Sequence, residues 1–340
     1  MSLVIGEYID RLATVEMRPG SGNLPRGVIH RLYDAAREKS GQPLSLGIAE
    51  ALVDRVGPAD TVLILTGAGG PPNLPKAEVD GILGAVAIAR AIHFGIGARV
   101  AILTEERAKD PVKAAVQGAG LNFREPDDPE VDNSVLFIPT EIGHDESKAQ
   151  AIDLLDRLTP SAVIGIEKLS PNEKGVIHGA TGLSYDDVHS KPQYLFEMAQ
   201  DRGILTCGIG DGGNEVGFGV ILDAVREIMP AGSVCECDCR GGSAAAVKTD
   251  QFMVAAISDW GGYAVAAMLA VLTDSQSMLL TDNDVERMLL ATVNAGAFDG
   301  ATARPTLSDD GVDLDAQRAY VTMLRRLVLI AKSGLASPGH

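Results

Sequence analysis

An apolar run from Ile204 to Ile209 breaks without a spacer into a loop that holds Asp211, Asn214 and Glu215 among the five glycines from Gly210 to Gly219. Glycines let the backbone take positive φ and bring a ligand close to main-chain amides. The stretch from Phe218 to Met229 reads as a helix whose amino end faces the same loop, so strand, turn and helix together make an anion cradle. Two carboxylates inside that cradle suit a phosphate badly and suit a cation, an amine or a proton transfer better. Asp211 and Glu215 are therefore candidate catalytic residues, with Gly212, Gly213 and Asn214 as candidate substrate contacts. The segment Gly208-Ile-Gly-Asp-Gly-Gly213 does match the dinucleotide pattern G-x-G-x-x-G, with Glu236 and Asp238 at about the usual distance beyond it. Asp211 and Glu215 would face the pyrophosphate, so NAD is not expected, and neither is pyridoxal phosphate.

Further acids follow other predicted strands, at the ends where open parallel sheets bind ligands. Thr61 to Thr66 leads into Gly67-Ala-Gly-Gly-Pro-Pro72, where Gly69 and Gly70 are candidate substrate contacts, and then to Glu78 and Asp80. These two acids read equally as caps of the next helix or as ligands. Ala162 to Ile166 leads into Glu167 and Lys168. An acid abutting an apolar strand is seldom idle, which makes Glu167 a candidate catalytic group, while Lys168 is either solvated or a substrate contact. Carboxylates from separate strands are expected to meet in one crevice, where shared protons or a cation must relieve their repulsion. A divalent ion, Mn or Mg, held by Glu78, Asp80, Glu167 and Asp211 is the expected cofactor. Trp260, in Ser258-Asp-Trp-Gly-Gly-Tyr263, is either a core residue or a wall facing the ligand. Phe298-Asp-Gly-Ala-Thr302 and Asp309-Asp-Gly311 are turn chemistry first and candidate acids second. A Walker loop, H-E-x-x-H and G-x-S-x-G are all absent from the sequence.

The elements that must position these residues alternate. Apolar spacing predicts helices over Val4 to Leu12, Gly27 to Lys39 and Leu44 to Val56, with Gly20 to Pro25 as a loop. From Thr61 the pattern becomes strand and helix in turn. Strands are expected at Thr61 to Thr66, Arg99 to Thr104, Asn122 to Arg124, Val135 to Ile138, Ala162 to Ile166 and Ile204 to Ile209. Helices are expected at Val79 to Phe94, Asp110 to Gly118, Lys148 to Leu158 and Gln193 to Arg202. This rhythm predicts an α/β fold, a mostly parallel sheet covered by helices on both faces. Later, Cys235 to Arg240 reads as a strand, Gln251 to Leu272 as an Ala-rich stretch interrupted at Asp259 to Gly262, and Asp282 to Ala295 and Leu314 to Lys332 as helices. The expected organisation is an N-terminal helical extension over residues 1–60, one α/β domain over 61–334 and a frayed tail over 335–340.

Composition bounds the function. The chain has 340 residues, 46% apolar and only 4% aromatic, with a net charge of −17 from 46 acids against 29 Lys and Arg. So acidic a surface opposes nucleic acid and anionic membranes, leaving a small molecule as the expected partner. No run approaches a membrane helix, and Glu7, Asp10 and Arg11 fall where a signal peptide would be apolar, so a cytoplasmic protein is expected. The first helices are expected to pack on the main body or on a second subunit, with a homo-oligomer as the expected state. In Val-Cys235-Glu-Cys237-Asp-Cys239-Arg a strand would put three sulfurs on one face, and this spacing favours buried free thiols over a metal site.

In order and spacing these motifs resemble the glutamate cyclase-like C-terminal domain family. Gly210-Asp-Gly-Gly-Asn-Glu-Val-Gly-Phe-Gly219 is similar to the family's G-D-G-G-N-E-[IL]-G-M-G. Glu78-Val-Asp-Gly81, Ile166-Glu167, Ser258-Asp-Trp-Gly261 and Asp309-Asp-Gly311 stand beside E-T-D-G, I-E-R, S-N-W-G and V-D-G. The chain departs at Lys168, where Arg is common, at Asp259, where Asn is common, and over Leu169 to Leu183, which lacks Tyr-x-Asn-Met-Arg-Gly. The resemblance implies an enzyme that closes D-glutamate to 5-oxo-D-proline or opens it. In that chemistry Glu215 or Glu167 would be the base, Asp211 and Asp80 would hold the amine or a divalent ion, and Lys168 would meet a substrate carboxylate. The altered Leu169 to Leu183 segment leaves room for a metal-dependent hydrolase of another lactam or cyclic imide. A non-catalytic small-molecule binding module is the reading from a different class.

Overall fold

Three helices come first, α1 (Ser2–Ala13), α2 (Val28–Ser40) and α3 (Leu44–Arg55), in a computed structural model that describes residues 1–20 and 24–333. The expected loop around Gly20 to Pro25 lies partly, and the expected frayed tail from Leu335 wholly, outside the described residues. Then come β1 (Thr61–Thr66), β2 (Ala77–Glu78), α4 (Ile82–Gly95), β3 (Arg99–Thr104), α5 (Lys109–Gly118), β4 (Asn122–Arg124) and β5 (Ser134–Pro139). The middle of the chain gives α6 (His144–Leu158), β6 (Ala162–Ile166), α7 (Gln193–Asp201), β7 (Leu205–Gly210), α8 (Leu222–Ile228), β8 (Gln251–Val254) and α9 (Ser258–Leu272). It closes with α10 (Asp282–Asn294), the short strands β9 (Ala297–Phe298), β10 (Ser308–Asp309) and β11 (Val312–Asp313), and α11 (Leu314–Ser333).

Seven of these strands form one parallel sheet in the order β4-β5-β3-β1-β6-β7-β8. Its strands are apolar on both faces because both are covered. Val62 and Ile64 point into a core shared with α3, α4 and α9, while Leu63 and Leu65 point the other way, onto α6 and α7. The first helices share the larger core: Ile5, Ile9, Leu32 and Leu46 pack in one cluster with Ile64 and Val265. Buried Asp10 knits them together, accepting from the amides of Leu44 (2.6 Å) and Ser45 (3.2 Å) at the start of α3 and from the Tyr33 hydroxyl (2.8 Å).

From β1 the chain builds outward through β3, then crosses back to place β6 on the other side of β1. A crevice opens at the carboxyl ends of β1 and β6, where the direction reverses. The register pairs Thr66 with Ile166 and Ile166 with Ile209, so the residues following β1, β6 and β7 emerge at one level. Helices α4 and α9 bring two more segments to that level by crossing at bare backbone. A Cβ on Gly262 would sit 2.6 Å from the Cα of Gly84, so both positions need glycine for the helices to approach so closely.

Four elements depart from the sequence reading. Cys235 to Arg240 is an irregular turn, since an amide of Arg240 folds back onto the carbonyl of Cys237 (3.2 Å) instead of pairing with a neighbouring strand. Phe218 to Met229 is a 3-10 turn over Phe218–Ile221 followed by the seven-residue α8. The helix expected from Val79 starts at Ile82, because Glu78 pairs in β2 with Phe298 of β9. The Ala-rich stretch breaks between β8 and α9, before Ser258, and Asp259 to Gly262 lies within the start of α9.

Candidate active site: a crevice of buried carboxyl groups

The glycine loop after β7 is an anion cradle, and the anion in it is Glu215. One carboxylate oxygen of Glu215 accepts from the amides of Asp211 (3.0 Å) and Gly212 (2.7 Å), and the other from Asn214 (2.7 Å). The side chain is fully buried. With its oxygens committed to three amides, Glu215 fixes the loop and is badly placed as a base, a role the sequence left open between Glu215 and Glu167. The same bonds leave the amides of Asp211, Gly212 and Asn214 occupied, which removes the physical basis for a pyrophosphate there.

Asp80 and Asp259 cap each other's helices. Asp80 accepts from the amides of Ser258 (3.0 Å) and Asp259 (2.7 Å), the first residues of α9, and from Gly81 (2.8 Å). In return Asp259 accepts from the amide of Gly84 (2.5 Å) in the first turn of α4. Gly81 takes φ +89°, and a Cβ there would lie 2.6 Å from both Glu167 Cβ and Thr66 Oγ1. This pairing brings the Ser258 hydroxyl to Glu167, to whose carboxyl it donates at 2.5 Å. Glu167 itself holds φ +44°, a left-handed backbone that a non-glycine residue adopts only when its surroundings impose it.

A cavity of about 520 Å³ opens over these groups. Of the expected site residues, Gly69, Glu78, Glu167, Asp211, Gly212 and Asn214 line it. So do Arg18, Asp310 and Tyr185, together with Gly179, Ala180 and Thr181 from the segment that departs from the family pattern. Arg18 stands between two acids, its Nη1 2.5 Å from Asp211 and 3.1 Å from Asp310. Its Nη2 is buried and has no hydrogen-bond partner among the described residues.

Burial, followed by the charges of Glu215 and Asp211, pushes Glu167 well above the usual carboxylate range. Burial, then Asp310 and Asp211, does the same to Glu78, which is in hydrogen-bonding reach of Glu167. Two such carboxyls cannot both ionise cheaply, so the pair holds a proton. Asp211 is pushed by burial to about 7, with Arg18 pulling the other way. Burial and Asp211 bring Asp310 to about 7, again against Arg18. Behind them lies Asp309, fully buried, with both carboxyl oxygens unpartnered among the described residues; burial and the charges of Asp259 and Asp80 raise it strongly.

Among the expected site residues, Lys168, Trp260, Gly70 and Gly213 lie away from the cavity. Lys168 faces away from the cavity. It is fully buried and pairs with Glu105 at 2.6 Å, and Glu105 also accepts from the amide and hydroxyl of Ser190, both at 2.9 Å. Against the cost of burial, Lys168 and then His189 hold Glu105 well below the usual carboxylate range. Trp260 is a core residue, stacked on Tyr320 at 4.2 Å with its Nε1 donating to Gln317 at 2.7 Å. Gly70 and Gly213 are buried but do not line the cavity. Arg18, Ser258 and Glu105 were not singled out by the sequence patterns. Ser258 lay inside a motif, whereas nothing local marks Arg18 or Glu105.

Among the described residues, oxygens of Asp80, Asp211 and Asp310 lie within 4.8 Å of one another, as do those of Asp80, Asp259 and Asp309 and those of Glu167, Asp211 and Glu215. Glu78 belongs to none of these groups. Asp80 and Asp211 each belong to two of these all-oxygen groups, the donor type that a hard divalent cation takes. Part of the charge relief expected from such an ion comes from Arg18.

The sequence matches the family described as D-glutamate cyclase-like, C-terminal, over residues 20–325. Human mitochondrial D-glutamate cyclase is 32% identical over 224 residues, which is 63% of this chain and 33% of that protein. The match thus spans about a third of the relative's length.

Proposed function

The chain belongs to the D-glutamate cyclase-like C-terminal family, and from that premise we propose that it interconverts an amino diacid and its lactam, D-glutamate and 5-oxo-D-proline or a close analogue, in the crevice between β1 and β6. The observation that carries this reading is the convergence of Glu78, Glu167 and Asp211 on one cavity whose only basic lining group, among the described residues, is Arg18. Closing the ring takes two protons from the ammonium nitrogen and delivers two to the oxygen that leaves the γ-carboxyl as water. One carboxylate must accept and one carboxylic acid must donate. Asp211, at about 7, is matched to accepting near neutrality. Glu167, held neutral by burial and oriented by Ser258, is matched to donating. The free Nη2 of Arg18 takes the α-carboxylate, and the acidic wall draws the ammonium group in.

A divalent cation, if part of the resting enzyme, would be held by Asp80, Asp211 and Asp310 and would polarise the γ-carboxyl as a Lewis acid. A second reading, hydrolysis of another lactam or cyclic imide, draws on Gly179 to Thr181, which line the cavity within the divergent segment. The test is a panel of D- and L-amino diacids, lactams and cyclic imides, each with and without manganese or magnesium, read by mass spectrometry. Formation or opening of 5-oxo-D-proline supports the first reading. Turnover only of other lactams or imides supports the second, and binding without turnover on any member removes both.

A further inference from the structure

Away from the carboxyl crevice, the turn over Cys235 to Cys239 wraps three sulfurs around one imidazole. Cys235 Sγ lies 3.4 Å from Cys237 Sγ and 3.3 Å from Cys239 Sγ, and the last two are 3.3 Å apart. His178 Nε2 lies 3.2 Å from Cys237 Sγ and 3.6 Å from Cys239 Sγ. Four soft donors thus mark the corners of a small tetrahedron. Zinc bonds of about 2.3 Å to sulfur and about 2.0 Å to nitrogen need edges of about 3.7 and 3.5 Å, a few tenths more than is seen between the sulfurs. A disulfide needs sulfurs about 2.0 Å apart, and all four cysteines of the chain are free.

The surroundings are those of a ligand set. His178 Nδ1 lies 3.0 Å from the carbonyl of Val176, to which it donates, and this leaves the lone pair of Nε2 aimed at the sulfurs. Cys239 Sγ accepts from the amide of Gly241 (3.3 Å) and from Asn172 Nδ2 (3.5 Å), bonds that favour a thiolate. Asn172 Nδ2 also donates to the carbonyl of Gly242 (2.7 Å), so it holds the histidine segment against the cysteine turn. Hydrophobic burial of three thiols requires none of this, and Cys237 and Cys239 are only partly buried.

We propose that His178, Cys235, Cys237 and Cys239 bind one structural zinc ion. Three thiols lose their protons to solvent as three zinc–sulfur bonds form, the imidazole supplies the fourth bond, and no redox change occurs. Four protein ligands leave no open position, so the ion holds structure and carries no chemistry. What it holds is the cavity wall. His178 immediately precedes Gly179, Ala180 and Thr181, and its carbonyl accepts from Asn214 Nδ2 (3.0 Å) of the glycine loop. The ion would fasten that wall to the turn that follows α8.

The test uses the full chain, purified and kept reduced, with zinc alone as the probe. Elemental analysis is expected to find about one zinc per chain, and X-ray absorption three sulfurs and one nitrogen around it. Zinc should shield Cys235, Cys237 and Cys239 from alkylation, and chelation should expose them and speed amide exchange across residues 176–185. His178→Ala and Cys237→Ser should each weaken zinc binding by more than about 100-fold. Failure of the reduced chain to take up zinc, a shell of oxygens or of four sulfurs, or unchanged affinity in both variants would overturn the proposal. If the variants do not fold, the absorption spectrum and alkylation pattern of the unaltered chain decide. No readout involves a substrate, so the outcome is separate from that of the proposed reaction.

Discussion

Arg18 Nη1 lies 2.5 Å from Asp211 Oδ2, although 193 residues separate the two. The stretch between α1 and α2 therefore reaches into a crevice otherwise built at the ends of β1, β6 and β7, and its guanidinium separates two acids that would repel each other.

Replacing Arg18 with Met leaves Asp211 and Asp310 without their cation, so each holds its proton more tightly. A buried acid whose folded-state pKa is raised contributes stability below its unfolded value near 4, and that stability is lost as pH rises through the folded value. The variant should melt with the wild type near about pH 5 and fall below it by on the order of 2–4 kcal/mol near pH 8. A constant offset at every pH would argue that Arg18 acts only through packing.

Glu167→Gln should keep the fold and lose turnover by about 10²- to 10⁴-fold, the usual worth of a positioned proton donor. Ser258→Ala should cost less and shift the pH profile of kcat/KM, because it removes the hydroxyl that orients Glu167. Equal and pH-independent losses in both variants would count against a proton-transfer role.

Glu215→Gln presents an NH₂ group to amides that need an acceptor. The expected result is a stability loss of about 2–4 kcal/mol by denaturant titration, accompanying any loss of turnover. Full stability with abolished turnover would return Glu215 to the position of base.

Lys168→Met leaves Glu105 buried without its ion pair, which should cost about 3–5 kcal/mol, while the double variant Lys168→Met, Glu105→Leu should recover much of it. KM for the substrate should stay within a fewfold of wild type wherever the protein folds. A large rise in KM with stability unchanged would place Lys168 at the substrate after all.

Asp309→Asn offers an amide donor to Asp259, whose Oδ2 is unpartnered among the described residues. Burial has raised both acids, Asp259 to about 7, so stability is lost as pH rises through that value. The variant should flatten the decline between about pH 6 and pH 8 and raise stability at the upper end by on the order of 1–3 kcal/mol. Destabilisation that added manganese or magnesium no longer offsets would instead identify Asp309 as a ligand of a resident cation.

The sheet was legible because a parallel strand covered on both faces must be apolar throughout, as Val-Leu-Ile-Leu in β1 and Val-Ile-Gly-Ile in β6 are. The acids at the ends of those strands were legible for the same reason, since a charge abutting such a run is conspicuous. What stayed hidden depended on partners far away in sequence. Glu105 meets Lys168 across 63 residues, and neither signals the other locally. The cysteine turn misled because strict alternation reads as a strand, whereas the backbone turns there and brings the sulfurs to His178.

Glu215 gives the loop after β7 a permanent occupant. A phosphate-bearing metabolite arriving at the crevice meets a negative charge and three amides already in use. To bind there it would have to expel a side chain tethered to the same loop, whose effective local concentration is high. A phosphate group at this loop would thus compete with a partner that is in place from the moment the protein folds.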